Sequence, residues 1–277
     1  MRLLWVVVAL FLSMSLAHAQ ETVRITIGAD PYVQALLKLA LSYDEAQPEL
    51  KFVYDIPTQK RAIRLLGKDN GIDVFWSVTS SKREKLARAI RIPLVKGVLG
   101  YRLGLIRKAD VSRMEKLNTI GDFQSVHFGL RDDWPDLDIF KKNNLKVVSY
   151  PREGNAYEML RSGRFDILPT DVLDGVYLDT ESGIQADPHH IYYYPSAVYF
   201  FVAKNDLVLY NKLKSGLEQA HADGSFDKLF NRYFATRLKD ANLAKRKRID
   251  LVNPLLPLSA PLSNATYWYK NNNEGNQ

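Results

Sequence analysis

Two stretches of this 277-residue sequence repeat one plan. AIRLLGKDNGIDVFWSV (Ala62–Val78) and AYEMLRSGRFDILPTDV (Ala156–Val172) each run from a helical pattern through a glycine stop to an apolar residue, an Asp and an apolar strand. Polar residues follow in both. A repeated helix–strand unit must bury the apolar face of its sheet under helices, which demands an α/β layer structure. The echo therefore predicts two similar lobes, each with a site-forming strand end after Asp73 or Asp166.

The rest of the chain fits that plan. VRITIG (Val23–Gly28) alternates as a strand does. A helix is expected from Pro31 to Tyr43, a strand at KFVYDI (Lys51–Ile56), a helix over Thr58–Leu66, a strand at IDVFWSV, and a helix from Ser81 to Ile90. LGYRLGLI (Leu99–Ile106) and IYYYPSAVYFFVAK (Ile191–Lys204) are long β runs with no helix behind them. Between them lie strands at SVHFGL, KVVSY and FDILP, with helices from Pro135 to Asn143 and Ala156 to Ser162. Helices from Leu207 to Ala222 and Ser225 to Phe234 follow. Strand–helix alternation implies mostly parallel sheets flanked by helices. The fold class expected is thus α/β and two-lobed, with the two long β runs crossing between lobes. Lobe I takes residues 20–102 and 196–250, lobe II takes 103–195, and 251–277 is a tail. The tail ends in NNNEGNQ, a polar stretch expected to be disordered, while Tyr267, Trp268 and Tyr269 are candidates to pack back onto a lobe. Ligands of open α/β sheets bind outside the carboxyl ends of the strands, so two facing lobes make a cleft.

Residues 1–19 read as a secretory signal peptide: a positive start, an apolar run from Leu3 to Leu16, and Ala17-His18-Ala19 before Gln20. A periplasmic protein is expected. No second apolar run reaches the roughly 18 residues of a membrane span. The absence of Cys removes disulfides, thiolate metal sites and thiol nucleophiles. The net charge of +7 gathers in part at Arg237, Lys239, Lys245, Arg246, Lys247 and Arg248. A solvated helix end explains that run better than nucleic acid does, because Lys and Arg complement the helix dipole there.

Particular segments carry a family resemblance. The turn Ser80-Ser81-Lys82-Arg83, the extended run LGYRLGLI and the ending ADGSFDKLFNRYF (Ala222–Phe234) are similar to motifs of the amino-acid-binding periplasmic solute-binding proteins of ABC transporters. This is solute-binding protein family 3, with type II topology. DVFWSVTSSKRE, IRIPLVKGVLGYRLGLI, DDWPD and SGRFD resemble segments of a less characterised subgroup. The resemblance covers the chain from the signal to about Asp250. It implies a small-molecule ligand, amino-acid-like and polar, held between the lobes of a monomer and presented to a membrane permease. The alternative is a sensing or interaction protein on the same fold that signals to a membrane receptor.

The resemblance also implies roles. Arg83 would grip a carboxylate, to which a planar guanidinium makes bidentate, charge-assisted bonds. Ser80 or Ser81 would cap the following helix and offer a hydroxyl to the same anion. Asp171 would take an α-ammonium group. Each has a plainer reading, as a solvated first-turn Arg and a helix cap. The family's Gly-Thr-Thr-like anion turn in lobe II is replaced by Arg131-Asp132-Asp133-Trp134-Pro135, where the acidic pair suits a cap on the helix at Pro135 and a cationic or polar ligand, or else Arg131 would supply the positive charge. Trp76 at a strand end, and Tyr32 after the first strand, would give aromatic walls suited to an apolar or cationic part of a ligand. Core packing is the alternative for both.

No catalytic constellation is legible: the sequence has no G-x-S-x-G, P-loop, H-E-x-x-H or G-x-G-x-x-G. His189 and His190 are adjacent on an expected strand and point to opposite faces, so they do not chelate one metal as a pair. No enzyme activity, cofactor, metal or nucleic-acid partner is expected.

Overall fold

The computed structural model describes residues 21–54, 56, 58–151, 155–173 and 183–270. The expected signal peptide and the NNNEGNQ end lie outside the described residues.

Lobe I begins with β1 (Thr22–Thr26), α1 (Pro31–Leu41), β2 (Glu49–Val53), α2 (Gln59–Leu65) and β3 (Phe75–Val78). Asp30 caps α1, its carboxylate accepting from the Tyr32 and Val33 amides, and Pro31 occupies the first turn, where a missing N–H costs nothing. Tyr32, Val33, Leu36, Leu37, Ala40 and Leu41 form the buried stripe of that helix. β1 pairs with β2 in parallel. The Asp73 and Val74 amides donate to the Arg24 carbonyl, which lays the start of the β3 segment beside β1.

The next element differs from the expected helix over 81–90. A single turn, α3 (Ser81–Glu84), is followed by β4 (Arg88–Ile90). Arg88, Ala89 and Ile90 pair antiparallel with Val202, Phe201 and Phe200, and fully buried Ile90 joins the lobe I core. Pairing with a strand more than a hundred residues away overrides the local helical preference.

Lobe II contains β5 (Tyr101–Arg107), α4 (Val111–Met114), β6 (His127–Arg131), α5 (Asp136–Lys142), β7 (Lys146–Tyr150), α6 (Ala156–Arg161), β8 (Leu168–Asp171), β9 (Ile184–Ala186) and β10 (His190–Tyr193). The chain then returns through β11 (Val198–Val202), α7 (Leu207–Ala222), α8 (Ser225–Ala241) and β12 (Lys247–Asp250). The run IYYYPSAVYFFVAK is thus two strands in two sheets, parted around Pro195. Lobe I has the order β2-β1-β3-β11-β4. Lobe II has β7-β6-β8-β5-β10-β12, with β9 beside β5 and a parallel bridge between Phe128 and Ile167 joining β6 to β8. In both lobes a strand arriving from the other lobe, β11 or β5, runs antiparallel beside the site-forming strand.

α8 runs past the expected Phe234 because Leu238 and Ala241 continue the buried stripe of Phe226, Phe230 and Phe234. The basic run is not one solvated helix end. Arg237 and Lys239 lie on α8, Asn242 ends it at φ +49°, and Lys247 and Arg248 lie on β12. β12 pairs with β10, so residues 247–250, expected in lobe I, extend the lobe II sheet.

The tail crosses back. The Leu251 amide donates to the Tyr193 carbonyl, and Val252 exchanges two hydrogen bonds with the Asn143 side chain, all on lobe II. Further on, the Tyr269 amide donates to the Lys96 carbonyl of lobe I. The Trp268 ring lies on Gly97, where a Cβ would stand 2.4 Å from it. Tyr267, Trp268 and Tyr269 all pack against lobe I clusters.

Candidate functional site

β3 ends at Val78, and the chain turns sharply there. The Thr79 amide donates to the Ala197 carbonyl, and the Thr79 hydroxyl donates to Glu84 at 2.7 Å. Ser80, in extended conformation, caps α3 by accepting from the Arg83 amide at 3.3 Å. Ser80 rather than Ser81 is therefore the cap. With the backbone held, the Arg83 side chain folds back under the turn. Its guanidinium donates to the Val78 carbonyl at 2.5 Å and to Gln59 Oε1 at 2.7 Å. Gln59 is itself held by the Ser77 hydroxyl at 2.9 Å. No carboxylate pairs with Arg83 among the described residues. Burial alone lowers its pKa from the ordinary arginine value. It remains a cation with unused donors.

Arg83 lines a cavity of about 590 Å³ between the lobes. Ser80, Ser81 and Lys82 line it on the lobe I side. Asp132, Asp133, Trp134, Pro135, Asp136 and Asp138 line it on the lobe II side, around the first turn of α5. Arg102, Tyr194 and the tail residue Asn253 complete the walls. Arg131 is not among the lining residues. Its guanidinium is bidentate to Asp133, at 2.6 and 2.7 Å, and lies 4.9 Å from the centre of the Trp134 ring. The positive charge sought from Arg131 is spent within its own loop.

A second cavity of about 340 Å³ adjoins this one, and Val78 lines both. Asp30, Tyr32, Gln59, Trp76, Asp171, Leu173 and Arg237 are among its walls. Tyr32 is only 2% exposed, and its hydroxyl donates to the Leu94 carbonyl. Its ring packs edge-on to Phe234 at 4.7 Å, so it serves as the buried floor of this cavity. Trp76 is half-buried, with one side against Phe75. The Asp171 carboxylate accepts from the Leu173 amide at 2.9 Å and stands 3.6 Å from Arg102. The sequence-predicted residues thus divide. Ser80, Ser81 and Arg83 share the first cavity, whereas Trp76, Tyr32 and Asp171 share the second.

A buried polar hub supports the cleft. Arg102 on β5 meets Asp136 at 2.7 and 3.2 Å and donates to the Tyr194 hydroxyl at 2.9 Å. Tyr194 in turn donates to Asp136 at 2.6 Å. Asp136 is 3% exposed, a carboxylate that water cannot solvate. Burial works against the Arg102 charge, and Tyr194, Asp136 and Asp171 outweigh it, so the Arg102 pKa moves up. Burial raises the Tyr194 hydroxyl well above the tyrosine range. Sequence reading missed Arg102, Asp136, Tyr194 and Gln59. A charge inside the apolar strand YRLGLI was the available signal for Arg102, since a buried charge must be paired. Nothing local marks Gln59.

Comparison with known proteins bears on the fold. No family model matches the chain, and no curated protein matches it in sequence. Solved structures do. An ancestral arginine-binding protein bound to arginine is similar with a TM-score of 0.54 and 18% identity, over 78% of this chain and 100% of that one. A Bacillus subtilis protein is similar with a TM-score of 0.54 and 19% identity, over 83% and 96% of the two chains. A Salmonella typhimurium periplasmic binding protein of high arginine specificity is similar with a TM-score of 0.51 and 17% identity, over 77% and 99%. The fold is that of the two-lobed periplasmic binding proteins. In such a fold the space between the lobes, where Arg83 faces α5, is the natural place for a small ligand.

Proposed function

We propose that the protein is a periplasmic solute-binding protein. It captures a small polar, amino-acid-like ligand in the interlobe cleft and presents it to an ABC permease. The observation that carries this reading is Arg83. Its half-buried guanidinium is braced by Gln59 and the Val78 carbonyl, opens on the cavity, and has no carboxylate partner among the described residues. A protein loses stability by desolvating a charge in this way, and an anionic ligand group would restore the pairing. The two strand crossings supply a hinge about which the lobes would close on the ligand.

The test is thermal unfolding of residues 20–277 against amino acids, polyamines, short peptides, organic acids and sugars. Ligand at about 100 times its Kd adds about 2.7 kcal/mol, a Tm rise of about 5 °C for a chain of this size. A rise that disappears in Arg83→Ala supports the reading. A rise unchanged in that variant assigns Arg83 to the scaffold.

A further inference from the structure

We propose that Ser196, on the run by which the chain returns to lobe I, is a ligand-binding residue whose hydroxyl donates to the carboxylate that Arg83 grips. This deepens the proposed function and rests on it. Ser196 is 4% exposed and lines the larger cavity. Its hydroxyl takes no partner among the described residues. A hydroxyl withdrawn from water without a hydrogen bond costs stability, so such a group calls for a reason. The backbone on either side of it is engaged. The Pro195 carbonyl accepts from the Asn253 side chain at 2.8 Å, and the Ala197 carbonyl accepts from the Thr79 amide at 2.8 Å. The chain holds the Ser196 hydroxyl in place and spends it on nothing among the described residues.

The pairing of β3 with β11 aims that hydroxyl. Val78 lies opposite Val198, and the bond from Thr79 to Ala197 continues the same register, which sets Ser196 opposite Ser80. Ser80 keeps an extended backbone. Side chains alternate along an extended chain, so Ser80 shares the face of Val78 and Ser196 shares that of Val198. That face is the cleft. Val78 lines both cavities, Val198 the smaller, and Ser80 and Ser196 the larger. Ser80 in turn accepts from the Arg83 amide at 3.3 Å. The guanidinium without a carboxylate and the hydroxyl without a partner therefore belong to adjoining strand ends over one cavity. A carboxylate has about four acceptor sites and takes a guanidinium bond and a hydroxyl bond together. The bond to Ser196 ties the ligand to a strand crossing, the element about which the lobes close.

The thermal panel above, run on residues 20–277 of the parent, Ser196→Ala and Arg83→Ala, tests this. Each amino acid, short peptide or organic acid that raises the parent's Tm is then titrated calorimetrically into all three. Free of ligand, Ser196→Ala should unfold at the parent's temperature or higher, because the hydroxyl has no protein bond to lose. Those carboxylates should bind it at least about tenfold more weakly, a difference of about 1.4 kcal/mol, the scale of a hydrogen bond to a charged group. Unchanged affinity in Ser196→Ala overturns the inference, and the proposed function stands if Arg83→Ala loses that affinity. A ligand-free Tm clearly below the parent's also overturns it, since the hydroxyl then serves the fold. A parent stabilised only by polyamines or sugars, which offer no carboxylate, rejects Ser196 in this role and keeps the protein a solute binder. A wholly blank panel removes both readings.

Discussion

Asp73 of lobe I and Asp166 of lobe II make the same three backbone bonds. The Asp73 amide donates to the Arg24 carbonyl at 2.9 Å, the Val74 amide to that carbonyl at 3.3 Å, and the Arg24 amide to the Asp73 carboxylate at 2.8 Å. In lobe II the Asp166 amide donates to the His127 carbonyl at 2.8 Å, Ile167 to the same carbonyl at 3.2 Å, and the His127 amide to Asp166 at 2.9 Å. Each Asp fastens the first parallel strand of its lobe to the strand that leads to the cleft. Arginines complete both latches: Arg24 for Asp73, and Arg113 and Arg107 for Asp166.

Replacing Asp166 by Asn keeps the size and removes the charge that three donors share. A loss of about 2 kcal/mol is expected, the scale of hydrogen bonds to a charged group, read by urea unfolding. Burial would raise the Asp166 pKa, but the His127 amide, Arg113 and Arg107 outweigh burial and hold it below the usual carboxylate range. A depressed carboxylate pKa stabilises the fold above the unfolded-state value and ceases to do so as pH falls through the folded value. The difference between the parent and Asp166→Asn should therefore shrink in strong acid.

Arg102→Met should be costly. It leaves Asp136 buried without its cation, a loss of about 3–5 kcal/mol for a broken buried pair. The Tyr194 hydroxyl still donates to Asp136 at 2.6 Å. The double variant Arg102→Met with Asp136→Leu should recover much of that loss, since replacing both partners with apolar groups removes the orphaned charge. Thermal unfolding of the parent, the two single variants and the double variant measures the coupling.

His221 gives a second pH effect of known sign. Its ring stacks on Phe226 at 3.9 Å and lies 4.9 Å from Tyr267 of the tail. Burial first, and then Lys96, lower its pKa from 6.5 to about 4, against a smaller opposing pull from Asp227. Between those values the unfolded chain binds a proton that the folded chain refuses, so this group makes stability rise with pH across that window and leaves it flat above. His221→Gln should flatten the pH dependence of Tm between about 4.5 and 6.5 relative to the parent.

Trp268→Ala should release the return of the tail to lobe I. The Trp268 indole N–H donates to the Pro261 carbonyl at 2.9 Å, so the ring also organises the loop that leads to it. A destabilisation of about 2 kcal/mol is expected, with faster protease cleavage between 256 and 266. Gly97→Ala should mimic it, because Gly97 has φ +72° and its new Cβ would displace the same ring. Unchanged cleavage rates in both variants would show that the tail holds without Trp268.

Sequence alone determined the features that depend on neighbours a few residues away. The alternation of helix and strand, the recurrence of the Asp73 and Asp166 segments, a serine cap at Ser80 or Ser81 and the turn that carries Arg83 were legible. Their hydrogen bonds and apolar stripes repeat with the period of the element that bears them. Tertiary structure decided whatever required distant partners. Arg88–Ile90 became a strand because β11 offered it a backbone edge. Lys247–Asp250 joined lobe II because β10 did the same. Arg102 became the buried cation shared by Asp136 and Asp171. Which cavity each predicted residue faces followed from those pairings. The energy of a buried charge or an open strand edge is set by what the folded chain brings to it, and spacing along the sequence does not carry that information.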